Sequence, residues 1–438
     1  MEWQQLLSSK RLGKTQPEDS SFERTAFLKD YDRIVYSMAF RRLKDKTQVF
    51  PLSKNADVRT RLIHSLEVSC VGRSLGRMVG EQIIQRHQLQ QVDAADFGDI
   101  LSAACLAHDI GNPPFGHAGE DAIQTAFQHW YRQDNPKGSL LSPLEKADFD
   151  QFEGNAQGFR ILTRLGMPHR YGGMQLTCTT LATFTKYPRE SLISPKTLKY
   201  HTGQSTRKYG FFQAEKELFQ EVAETVGLIR RPGPAAWWCR HPLTFLMEAA
   251  DDLCYSIVDL EDGFHMGHLP FPEVRDLLAA IAETDLGEYE VNHEETIKRL
   301  RAKAINKLVV EVAQLFLDWE PSILKGEFDQ ALVGQSRFAD ILKTIEVRTS
   351  ASVFHHPNVV RIKVAGYEVL GGLLTEFLTA IYQDNKKSQL VRYMLPEQFS
   401  PAPNQSNYAK MLNITDYIAG MTDLQATLLF QQLRGITL

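Results

Sequence analysis

Apolar residues recur along this 438-residue chain at three- and four-residue steps, and alternation of the strand type is scarce. From Val58 to Val79 the residues Val58, Leu62, Ile63, Leu66, Val71, Leu75, Met78 and Val79 keep that period, which predicts an amphipathic helix. The stretch 97–110 (FGDILSAACLAHDI) is apolar on most sides and reads as a central buried helix. It has to stop at Gly111-Asn112-Pro113-Pro114, where two prolines remove donors and forbid a continuing turn. A new helix is expected from near His117 to Tyr131, and the helical period returns over 242–262, 293–319, 365–383 and 408–434. Leu176–Thr185, rich in threonine, fits a strand or a helix equally. Breaker-rich segments at 132–150, 188–210 and 229–236 predict long loops. No repeat, low-complexity tail or linker interrupts the pattern. The expectation is one all-α unit over 1–438 with long surface insertions.

Composition narrows the class further. Hydrophobic residues are 43% and charged residues 23%, values of a globular chain, so disordered and fibrous classes fall away. Five widely spaced cysteines without a CxxC pair predict free thiols in a reducing compartment. The first residues lack the apolar segment of a secretory signal, and no uninterrupted apolar run approaches the ~18 residues of a bilayer span. A cytoplasmic protein with no membrane contact is expected. Net charge is −4 but unevenly placed. Residues 24–61 carry ten Lys or Arg against four Asp, and 248–262 carries six acids and no base. A solvated face explains either block; a polyanion and a cation would explain both.

Several phosphate chemistries can be set aside. Gly13-Lys14-Thr15 ends like a Walker loop, but Ser8 stands where its first glycine belongs, and no GxGxxG, HExxH or nucleophile elbow occurs. The pair His108-Asp109 carries little alone. Its place, where a buried helix opens into a forced turn, allows an imidazole and a carboxylate to face one point. His64 on the 58–79 helix and an acid from 248–262 could join them, since divalent cations take nitrogen and oxygen ligands from separate elements. A lone histidine such as His64 is more often a core residue satisfied by one hydrogen bond.

The order His64, His108-Asp109, Asp251 is similar to the metal signature of HD-domain proteins. The longer string from His108 to Glu120 (HDIGNPPFGHAGE) resembles the deoxynucleotide triphosphohydrolase, or dGTPase, family within that superfamily. Blocks from Phe40 to Phe50, Arg61 to Val68, Phe152 to Gln157, Lys186 to Pro188, His241 to Tyr255 and Asp416 to Asp423 extend the resemblance over nearly the whole chain.

The resemblance implies an all-α HD core at about 58–262, completed by a C-terminal helical part at 263–438. It implies hydrolysis of a dNTP, dGTP or several dNTPs, to deoxynucleoside and triphosphate. One divalent metal per subunit, Mg²⁺ or Mn²⁺, would sit on His64, His108, Asp109 and Asp251. His117 and Glu120, at i and i+3, share a helical face; His117 would protonate the 5′-oxygen with Glu120 orienting it, or assist the nucleophile instead. Tyr255 and Asp259 would meet the deoxyribose, and Arg61, Lys186, Tyr187, Gln48 and Asn112 the phosphates and base. Family members form hexamers or tetramers, so a homo-oligomer is expected. Two other readings stay open: another HD phosphohydrolase (5′-nucleotidase or phosphodiesterase), and a single-stranded nucleic-acid-binding protein, for which the basic 24–61 segment is the motive.

Overall fold

The computed structural model describes residues 1–17, 24–48, 59–132, 140–198, 201, 203–284 and 292–436. Its principal helices are α1 (Ala26–Val35), α2 (Arg61–His87), α3 (Ala94–Ala107), α4 (His117–Arg132), α5 (Pro242–His265), α6 (His293–Leu324), α7 (Pro357–Tyr382), α8 (Asn407–Ala419) and α9 (Asp423–Leu433). No strand forms among the described residues; isolated bridges such as Arg11 with Thr177 and Arg189 with Trp237 are the extended pairings. The fold is all-α, as the period predicts.

Helix α2 buries Val68, Val71, Leu75, Val79 and Ile83, each stabilising the fold by about 1.5–3 kcal/mol relative to exposure. It ends at Gln88, whose φ of 51° lies in the left-handed region. Gly72, Gly76 and Gly80, four residues apart, face α3 on one stripe. A Cβ on Gly76 would lie 2.5 Å from the Phe97 carbonyl oxygen, and one on Gly72 2.5 Å from Cys105 Sγ. The two helices therefore touch through backbone, which a side chain at either position would prevent. Helix α3 starts in a capping box between Asp93 and Asp96 and is buried along nearly its whole length.

Some boundaries differ from expectation. Helix α3 ends at Ala107, leaving His108 and Asp109 in the following turn. Beyond them Gly111 passes so close to Gly154 and Gly158 that a Cβ would lie 2.1 Å from their backbone. The expected single helix over 408–434 is two, because Thr422 caps a new helix in a capping box with Gln425. The 132–150 segment is not all loop: Ser142 and Glu145 form a capping box that starts a helix at Pro143–Asp150. Leu176–Thr185 resolves to a helix, Cys178–Phe184, capped by the Thr177 side chain. Helix α7 starts eight residues before the expected 365. Its stretch Val359–Tyr382 is long and apolar enough to cross a membrane by length and composition, although Glu368 and Glu376 interrupt it. Its inner residues Val369, Leu370, Leu373, Leu374, Phe377 and Leu378 are buried in an apolar core.

Two apolar cores interleave in sequence. The first gathers α1, α2, α3, α5 and α6 and includes Val353. The second gathers Phe115, α4, Phe149, Phe152, Phe212 and the C-terminal helices α7, α8 and α9. Helix α4 thus follows α3 in sequence but buries its apolar face, Ile123, Ala126, Phe127 and Trp130, among residues some 250 positions later.

Candidate active site

The four expected ligands come from three elements of the first core and converge. Ligand atoms of His64, His108 and Asp109 all lie within 4.8 Å of one another. Asp251 on α5 brings Oδ1 to 3.2 Å from His64 Nε2 and 3.3 Å from His108 Nε2. His108 Nδ1 lies 2.7 Å from the Cys105 carbonyl oxygen, so it carries the proton and donates it. That leaves Nε2 with its lone pair toward the carboxylates, the tautomer a metal ligand needs. Two imidazole nitrogens and two carboxylates, with both histidines buried and both carboxylates partly exposed, form a donor set that fits one divalent cation.

The surrounding charges hold these carboxylates ionised. Burial alone would raise the Asp109 carboxyl; the Arg61 guanidinium, 2.6 Å away, and the two imidazoles reverse this and hold it well below the usual range. Asn112 Nδ2 donates to the other Asp109 oxygen at 2.5 Å. Asp251, also against its desolvation, is held low by Lys186, whose ammonium lies 2.5 Å from Oδ2. The same carboxylates outweigh burial at His108 and raise its imidazole.

Beside this group opens a cavity of about 610 Å³, lined by His108, Asp109, Asp251, His117, Glu120 and Lys186 among others. His117, the first residue of α4, is 78% exposed in its side chain, while Glu120 one turn on is 6% exposed. His117 Nδ1 donates to Glu120 Oε2 at 2.7 Å, and the Gly154 N–H donates to Oε1 at 2.8 Å. This bond to Glu120 raises the His117 imidazole above its ordinary value. Nε2 is left as the nitrogen that can hand over a proton.

The other expected site residues divide. Lys186, Tyr187 and Asn112 line the cavity. Arg61 is 6% exposed and engaged with Asp109. Tyr255 is 38% exposed and its ring stacks on Phe354 at 5.5 Å and 4°. Asp259 is 2% exposed, and burial followed by Asp262 pushes its carboxyl well up. Gln48, Tyr255 and Asp259 are not among the lining residues of this cavity.

The cavity also takes Glu153, which lies in the Phe152–Gln157 block without an assigned role, and Arg189, Arg207, Lys208 and Tyr209, which no local pattern marked. All but Glu153 lie in the breaker-rich 188–210 segment, and the dibasic Arg207-Lys208 was its only chemical signal. Lys208 Nζ sits 2.9 Å from Glu153 and 3.7 Å from Glu120, so it links the two carboxylates. The basic 24–61 segment contributes elsewhere. Arg24, Lys29, Arg33 and Arg42 line a second cavity of about 820 Å³. Arg33 donates there to the Met174 and Gln175 carbonyls and Arg42 to that of Gly420, so these cations also tie the fold. Residues 49–58 of that segment lie outside the described residues.

Comparison with known proteins identifies relatives of this chain. The HD domain family matches residues 61–149, and the phosphohydrolase-associated domain matches 335–432. A deoxyguanosinetriphosphate triphosphohydrolase-like protein of Synechocystis sp. is 75% identical over the full length of both chains. One of Pseudomonas aeruginosa is 39% identical over 99% of each. A deoxyguanosinetriphosphate triphosphohydrolase of Salmonella paratyphi A is 31% identical over 91% of this chain and 92% of its own.

Proposed function

Because this chain belongs to the HD-domain family of deoxyguanosinetriphosphate triphosphohydrolase-like hydrolases, we propose that it cleaves a deoxynucleoside triphosphate into deoxynucleoside and inorganic triphosphate. The observation that carries the reading is the junction of two half-sites in one cavity. His108, Asp109 and Asp251, with His64 packed against them, and the His117–Glu120 pair contribute to the same cavity wall.

His64, His108, Asp109 and Asp251 would hold one divalent cation, Mg²⁺ or Mn²⁺, which when bound neutralises phosphate charge and acidifies water. Arg61 and Asn112 keep Asp109 ionised and oriented. Lys186, Arg207 and Lys208 line the space a triphosphate would enter and offset its charge. Water oxygen bonds to the α-phosphorus as the bond from phosphorus to O5′ breaks; His117 Nε2 gives O5′ its proton, and the proton released by the water passes to solvent, from which the ring is reprotonated. Glu120 favours the doubly protonated His117 ring, whose Nδ1 proton stays with the carboxylate while the Nε2 proton is the one transferred. Tyr255, backed by Phe354 and partly exposed, would wall the sugar, where a flat ring leaves no partner for a 2′-hydroxyl; Asp259, at 2% exposure, is buried away from it.

Product analysis with each of the four dNTPs and GTP, with Mg²⁺, with Mn²⁺ and with EDTA, tests this. Deoxynucleoside plus intact triphosphate, lost in EDTA, is the expected result. Orthophosphate or pyrophosphate as product would move the protein to another HD phosphohydrolase class.

A further inference from the structure

The turn between the metal half-site and His117 is held in place from the far end of the chain. Phe115 and Gly116 adopt consecutive left-handed conformations, φ 63° and 60°, immediately before His117. A phenylalanine is disfavoured there, so the conformation needs outside support. The Phe115 N–H donates to Asp423 Oδ1 at 3.0 Å. Asp423 Oδ2 accepts from the Thr47 N–H at 3.0 Å and from the Thr47 hydroxyl. One carboxylate, 1% exposed and at the start of α9, thus takes three donors from two distant segments. The other end of the turn is fixed through the neighbouring residue: Lys46 Nζ donates to the Asn112 carbonyl at 2.6 Å and to that of Ala419 at 2.9 Å. The Phe115 ring fills the space over Gly366 of α7, where a Cβ would come within 3.1 Å of it. The turn is therefore gripped by its backbone at both ends and by its one large side chain, and the C-terminal helices take part in all three contacts.

We propose that Asp423 is a positioning residue for the reaction: by fixing the Phe115–Gly116 turn it sets where His117 stands relative to the four metal-ligating side chains. Asp423 does not line the cavity, and Phe115 and its own helix start separate it from substrate. Its effect passes through the first turn of α4, where His117 Nδ1 and Glu120 Oε2 are 2.7 Å apart. The inference rests on the functional reading above for its kinetic arm only.

The test compares the parent with Asp423→Ala and Asp423→Asn, each also combined with His117→Ala. Asp423→Ala is expected to lower kcat about 10²-fold, the size of loss that a small misplacement of a reacting group produces. KM and calorimetric Mn²⁺ affinity should stay within about threefold, since none of the four ligands is touched. In the His117→Ala background the same substitution should cost nothing further, because the two changes disable one step. An equal loss in both backgrounds, or a loss of Mn²⁺ binding in step with kcat, would overturn the proposal. A second arm needs no turnover. Histidine labelled with ¹³C at Cε1 gives a His117 signal, assigned by its absence in His117→Ala. That signal and its titration should move toward free-histidine values in Asp423→Ala and part of the way in Asp423→Asn, which keeps one acceptor. Parental His117 signals in the folded variants refute the role. Should the alanine variant not fold, the asparagine variant carries both arms. A parent that turns over no dNTP refutes the functional reading, while the resonance arm still decides the positioning role.

Discussion

At the scale of single residues, the site is a set of charges that stay ionised inside the protein because each is paired. Asp109 illustrates this: it is shared by Arg61 and Asn112 and still offers an oxygen to the ligand cluster. Loss of His108, a proposed ligand, would leave that pairing intact. His108→Ala should therefore remove Mn²⁺ binding and dNTP turnover while the circular dichroism spectrum keeps its helical form; turnover at the parental rate would remove His108 from the ligand set. The role proposed for Tyr255 is of a different kind. Its ring is stacked and half open, so Tyr255→Ala should loosen discrimination between dNTP and NTP with little change in melting temperature; an unchanged ratio of kcat/KM values would clear Tyr255 of sugar recognition. These residues were legible in the sequence because a motif fixes their spacing on contiguous helices and turns. Arg189, Arg207 and Lys208 were not, because their meeting point depends on how the irregular segment 188–210 folds back, which no local period records.

At the scale of elements, the distance between His64 and His108 is a property of two crossing helices. The Gly72, Gly76 and Gly80 stripe lets α2 lie against the backbone of α3, and the His64 and His108 ring centroids end 5.2 Å apart. Gly76→Ala puts a methyl group against a backbone carbonyl that cannot rotate away. Overpacking of this kind costs about 1–3 kcal/mol. The variant should unfold at lower denaturant and also bind Mn²⁺ more weakly, both readable by titration; parental metal affinity would mean that the crossing does not set the site. Helices with a sustained period, such as α2 and α6, were foreseen in place and type, although α2 runs eight residues past the expected 79 and α6 five past the expected 319. The shorter Pro143–Asp150 and Cys178–Phe184 were not, since their existence rests on capping side chains more than on periodicity. The break between α8 and α9 was hidden for a related reason: apolar residues continue across Gly420-Met421-Thr422, and the cap at Thr422 decides against one helix.

At the scale of the whole molecule, the C-terminal helices share one core with α4, and a buried acid lies in that union. Asp148 is fully enclosed, accepts from the Gln213 N–H at 2.7 Å and from the Tyr408 hydroxyl on α8, and burial pushes its carboxyl up to about 7. A carboxyl raised on folding contributes stability that is complete below its unfolded value of 3.8 and is lost as pH climbs through 7. Relative to Asp148→Asn, the parent should lose up to about 4 kcal/mol of stability between pH 4 and 8, at 1.36 kcal/mol per pKa unit. Denaturation at a series of pH values checks this, and a flat difference would show that Asp148 keeps its charge inside. The all-α class was evident from the sequence, but the partition into two interleaved cores was not, because periodicity says which face of a helix is apolar and not which distant helix will cover it. That partition has a consequence for biosynthesis. A ribosome releases the proposed ligands His64, His108, Asp109 and Asp251 well before α7, so the nascent chain can gather all four while the oily side of α4 still has nothing to rest on. Until the last three helices emerge, that bare surface is a natural handle for chaperones and a point where newly made chains can stick to one another.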